Sequence, residues 1–94
     1  MVRLLEHDHH AHTRNRDRID IISSVIDSTN GGASRRRILL RTGLSSTQFK
    51  RYLALLMQSG YIEVEEDNRQ KIYRATEKGI ALLQVYNNIR ELLQ

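Results

Sequence analysis

The chain has no cysteine, no tryptophan and a single phenylalanine among its 94 residues. Without cysteine it can form neither disulfides nor thiolate metal sites, a usage that fits a reducing compartment. With so few large aromatics, aliphatic side chains must build the core, and a chain of this length buries only about 60–65% of its unfolded surface. Dimerisation would cover further apolar area. No apolar run approaches the roughly 18–20 residues of a membrane span. Glu6, His7 and Asp8 interrupt the N-terminus where a signal-peptide core would continue. The expectation is an intracellular, cytoplasmic protein with no membrane partner.

Acid is missing from one place in particular. Between Ser28 and Ile62 there is no acidic residue, while Arg35, Arg36, Arg37, Arg41, Lys50 and Arg51 contribute six positive charges. Glu63, Glu65, Glu66 and Asp67 then place four negative charges within residues 61–67. The overall charge of +4 is a weak pointer to a polyanion. Its segregation says more: one surface is built to meet phosphate and another is turned away. Chemistry is scarce as well. No Ser-His-Asp or paired-carboxylate arrangement is suggested and no glycine-rich phosphate loop occurs. The chain is expected not to be an enzyme, with no cofactor and no small-molecule ligand.

What is present is helical periodicity punctuated by glycine. From Thr13, the residues Ile19, Ile22, Val25 and Ile26 fall on one stripe, and the helix stops at the run Ser28-Thr29-Asn30-Gly31-Gly32. Ser34 is a good N-cap for a short helix over residues 35–42, with Ile38 and Leu39 inward and Gly43 ending it. Leu44 can plug the corner. Ser45 caps a third helix over residues 46–59, stopped by Gly60. Two helices joined by a short glycine-containing turn make a helix-turn-helix. The alternating run 61–65, a polar turn over 66–70 around Asp67-Asn68, and the β-prone run 71–75 then predict a hairpin, or wing. Thr76 caps a last helix reaching about Leu93.

Viewed down its axis, the third helix puts Phe49, Tyr52, Leu53 and Leu56 on one side and Thr47, Gln48, Lys50, Arg51, Ala54 and Gln58 on the other. The second face suits a major groove: Gln pairs with adenine, Arg or Lys with guanine, and the Thr methyl touches thymine. Ser45, Ser46 and the free amides at the helix start can hold a phosphate. Arg35, Arg36 and Arg37, with their cap Ser34, open the helix that crosses the DNA backbone in this motif. Cations there oppose the helix dipole at about 0.3–1 kcal/mol each, which phosphate contact would offset. At the wing, Arg69 and Lys71 are expected to touch the backbone with the acidic edge turned outward. On the last helix Leu82, Val85, Ile89 and Leu92 form a coiled-coil-like seam, with Leu83, Tyr86 and Leu93 beside it. Leu82, Val85, Tyr86, Ile89, Leu92 and Leu93 are therefore the candidate dimer interface.

Residues 1–12 carry His7, His9, His10 and His12 beside Asp8. A metal held by so short a segment needs a rigid second shell, which nothing nearby supplies, so no metal site is expected. The division expected is a flexible arm over 1–12, a winged helix-turn-helix domain over 13–75 and a dimerisation helix over 76–94.

The order Gly32-Ala33-Ser34-Arg35-Arg36-Arg37-Ile38-Leu39, then Gly43-Leu44-Ser45-Ser46-Thr47-Gln48-Phe49-Lys50-Arg51-Tyr52-Leu53, then Gly60-Tyr61-Ile62 and Thr76-Glu77-Lys78-Gly79, resembles the small archaeal winged-helix DNA-binding proteins of archaeal cells and their viruses. The likeness spans about residues 15–93. It implies a mainly helical α+β winged helix and a homodimer joined through the C-terminal helix. It also implies major-groove entry by the third helix, and a role as transcription regulator or chromatin-associated, nucleoid-located protein. A sequence-preferring dimer on double-stranded DNA leads; an architectural DNA-binding protein with little preference and a protein-interaction winged helix are the alternatives.

Overall fold

A computed structural model describes residues 17–94. The His-rich arm, and the expected start of the first helix at Thr13, lie outside the described residues. The order is α1 (Arg18–Ser28), α2 (Arg35–Thr42), α3 (Ser46–Gln58), β1 (Ile62–Asp67), β2 (Gln70–Ala75) and α4 (Glu77–Leu93). The mainly helical α+β winged helix expected from the sequence is the fold observed.

Local chemistry sets most boundaries. The Ser34 and Ser45 hydroxyls accept the backbone N–H of Arg37 and Gln48, and Thr76 does the same for Gly79. Gly43 leaves α2 in the left-handed conformation at φ 73°, which costs glycine no Cβ clash. Leu44 then turns into the core, its amide held by the Thr42 hydroxyl at 3.3 Å. The third helix ends one residue early, because Ser59 is already its C-cap.

The core is aliphatic around one phenylalanine. Val25, Ile26 and Ile38 are fully buried, with Phe49, Leu56 and Ile62 close behind. The inward face of α1 is rotated from its expected stripe: Ile19 is 44% exposed, whereas Ile21 is buried in its place. Ser23 and Ser28, both buried on this helix, bond their hydroxyls to the backbone carbonyls of Ile19 and Val25, so the inward turn leaves no polar group unpaired.

The wing is antiparallel, with Val64 opposite Tyr73 and Glu66 opposite Lys71. Strands are longer than the sequence suggested. Asp67 pairs with Gln70, leaving a two-residue turn at Asn68-Arg69, and Tyr61 stays outside β1. On its other edge Tyr73 exchanges both backbone hydrogen bonds with Ala33 at 2.8 Å, tying the wing to the segment before α2.

The first turn of α4 presses against the end of the α3–β1 connection. A Cβ at Gly79 would overlap the Tyr61 carbonyl oxygen. Gly79→Ala, which gains about 1 kcal/mol of intrinsic preference in an open helix, is therefore expected to destabilise by about 1–3 kcal/mol through overpacking; equilibrium urea unfolding measures it.

Candidate nucleic-acid interface

The exposed side of α3 carries Thr47, Gln48, Lys50, Arg51, Ala54 and Gln58, opposite the buried Phe49, Tyr52, Leu53 and Leu56. Three of the expected contact residues also have structural work. Gln48 closes a capping box, its Oε1 accepting the Ser45 amide at 3.2 Å. The amide oxygen that a bidentate adenine contact requires is thus engaged while the box is closed. Ser45 contributes its hydroxyl to the same box, and Ser34 to the start of α2.

The three arginines that open α2 divide. Arg35 donates from Nη2 to the Ser46 hydroxyl at 3.0 Å, and its guanidinium carbon sits 5.6 Å from the centre of the Phe49 ring. It joins the N-terminal ends of α2 and α3. Arg36 and Arg37 point to solvent, and neither forms an ion pair among the described residues. Arg41, Lys50 and Arg51 are likewise exposed without a described carboxylate partner.

Strand alternation sorts the wing's charges. Ile62, Val64 and Glu66 share a face with Ala75, Tyr73 and Lys71, the face that continues the core. Glu63, Glu65 and Asp67 occupy the other, where Glu65 pairs with Arg74 at 2.6 Å. Three of the four acids therefore point away from the α3 side. Lys71 faces it, and together with Lys50 it lines a groove of about 250 Å³ between α3 and the wing, floored by Leu53, Ala54, Met57, Val64 and Tyr73. This groove is the feature that sequence reasoning missed, because it depends on where the hairpin lies against α3.

Asn68 and Arg69 form the wing tip with φ of 52° and 69°. Two successive positive φ values match the tight hairpin turn that favours Asn-Gly. Arginine in the second position is strained.

On α4, Leu83 is buried and Leu82 half-buried against the core. Val85 and Ile89 are about half exposed, and Leu92 and Leu93 are more than 80% exposed. Tyr86 is half-buried, and its hydroxyl donates to the Asp20 carboxylate of α1. Within the single chain this side chain is already in use, unlike the exposed Val85, Ile89, Leu92 and Leu93.

The winged helix-turn-helix family model matches residues 15–94. The chain belongs to that family. This winged helix-turn-helix protein is similar to Sso10a-2, a DNA-binding protein from Sulfolobus solfataricus, at 26% identity and a TM-score of 0.72, covering 83% of this chain and 85% of that one. It is also similar to AF1382 from Archaeoglobus fulgidus, at 19% identity and a TM-score of 0.65, covering 81% and 86% of the two chains. BpsR from Bordetella bronchiseptica, whose DNA binding is regulated by 6-hydroxynicotinic acid, aligns at 14% identity and a TM-score of 0.70 over 98% of this chain and 75% of that one. Those last two likenesses concern the fold alone. No curated protein matches the sequence. The resemblance to small archaeal winged-helix proteins, read from the residues, is borne out.

Replacing Arg69 by glycine removes the left-handed strain and is expected to raise stability by about 1 kcal/mol. Thermal unfolding of the variant against the parent chain tests this, and an unchanged or lower midpoint would count against strain at the tip.

Proposed function

We propose that the protein binds double-stranded DNA as a homodimer and regulates transcription, with α3 in the major groove. One observation carries this reading. The outward face of α3 presents Lys50 and Arg51 and the start of α2 presents Arg36 and Arg37, all exposed without a described carboxylate partner, and the wing face beside Lys50 is the one from which three of its four acids are turned away. Four exposed cations repel one another unless a polyanion lies across them.

In this reading Arg36 and Arg37 hold phosphates and set the register, while Thr47 and Arg51 reach base edges. Gln48 joins them only when its capping box opens. Arg35 and Ser46, bonded to each other, present the paired helix ends to the backbone. Arg69 touches the backbone from the wing tip. Residues 13–75 form the DNA-binding unit, and residues 76–94 the dimerisation helix, through Val85, Ile89, Leu92 and Leu93. Such a protein works at the nucleoid.

Selection of bound sites from random duplex DNA tests the whole reading, and a palindromic site is the expected result. Arg36→Ala and Arg37→Ala should each weaken binding uniformly across sequences and lower the salt slope by about one. Arg51→Glu combined with Lys50→Glu should abolish duplex binding at low salt; unchanged affinity would overturn the DNA-binding reading. Ile89→Glu should give a folded monomer by sedimentation, since the side chain is half exposed in the single chain.

A further inference from the structure

The groove between α3 and the wing has an unusual lining for a surface that meets a polyanion. Its rim carries a cation on each side, Lys50 from α3 and Lys71 from β2. Its floor is mostly apolar, and Val64 and Met57 there are respectively 37% exposed and half-buried. Phosphates alone would need the lysines and not the floor. No acid lines it, although Glu66 stands opposite Lys71 across the strands.

A unit with anionic ends and an apolar middle fits this arrangement. The DNA backbone supplies one: consecutive phosphates flank a deoxyribose whose C2′ edge carries only hydrogen. Continuity with the α3 surface favours this occupant over a free amphipathic anion. We propose that this groove seats one deoxyribose and its flanking phosphates, and that Val64 and Met57 discriminate deoxyribose from ribose. The proposal rests on the DNA-binding reading above and adds the sugar specificity of that binding.

The discrimination is physical. A ribose 2′-hydroxyl laid against Val64 and Met57 gives up water there, and neither of these two side chains offers it a conventional hydrogen bond in return. A buried unsatisfied hydroxyl corresponds to about a tenfold loss of affinity. Lys50 is thereby assigned to the phosphate rather than to a base edge. Val64→Thr keeps the shape and the β-branched strand preference while supplying a hydroxyl to the floor.

The test compares the intact protein and its Val64→Thr variant on two duplexes of one sequence, one all-deoxy and one with ribonucleotides sparsely interspersed on both strands. The parent protein should lose about tenfold on the interspersed duplex, and Val64→Thr should recover most of that loss. Equal binding of both duplexes by the parent overturns the proposal. So does an undiminished loss in Val64→Thr, since the effect would then come from duplex shape. Failure to bind the all-deoxy duplex instead removes the DNA-binding reading itself, and the sugar proposal with it. Competition by decanoate, with no difference between the duplexes, would assign the groove to a small amphipathic anion and overturn the proposal. Circular dichroism and the thermal midpoint of Val64→Thr confirm that the variant compared is folded.

Discussion

Three elements converge on one ring. Phe49, the chain's single phenylalanine, meets the Tyr73 ring edge-on at 6.0 Å and the Arg35 guanidinium at 5.6 Å. Tyr73 belongs to the wing, Phe49 to α3 and Arg35 to the start of α2. An edge-to-face aromatic pair contributes about 0.5–1.5 kcal/mol beyond its buried area, and a cation over the ring adds about 0.5–1 kcal/mol at an exposed site. The more important effect is geometric. The pair fixes the wing against α3, and Arg35, through Ser46, fixes the two helix starts against each other. The same Tyr73 holds Ala33 through its backbone, so the segment entering α2 cannot move without the wing.

That convergence explains how a strongly acidic hairpin can border a cationic surface. Alternation along β1 sends Glu63, Glu65 and Asp67 to the face away from α3, and Arg74 neutralises Glu65 while also donating to the Gly31 carbonyl. The remaining acid, Glu66, stands opposite Lys71. With the wing locked by Tyr73, a one-residue slip of register, which would reverse every side chain, is resisted by the core residues Ile62 and Ala75.

Helix boundaries were legible because they are local events. Ser34, Ser45 and Thr76 each cap from their own position, and Gly43 ends α2 without help from elsewhere. The capping box at Ser45 and Gln48 was legible too, since Gln three residues after a Ser cap is its signature; reading Gln48 only as a base contact passed over it. Other features depend on distant partners. Whether Ile19 or Ile21 turns inward is decided by how α1 sits on α2 and α4. Tyr86 lies beside the seam in sequence, yet it meets Asp20 from a helix 66 residues earlier. The α3–wing groove belongs to this class, because neither lysine predicts the other.

Several places accept a local cost that the fold does not require. Arg36 and Arg37 sit at the positive end of α2 with no acid in its first turn. Arg69 holds a left-handed conformation that glycine or asparagine would adopt more easily. The end of α4 leaves Leu92 and Leu93 in water. Folding stability explains none of the three, and each substitution that would relieve one of them is compatible with the backbone. The first two costs, one of charge and one of backbone conformation, are borne at arginines of the helix start and the wing tip, the parts that flank α3. The apolar cost is borne by the helix end farthest along the chain from them. In the dimer on DNA proposed above, a polyanion would offset the charge at the start of α2 and meet Arg69, whose left-handed backbone would remain strained, while a second copy would cover Leu92 and Leu93.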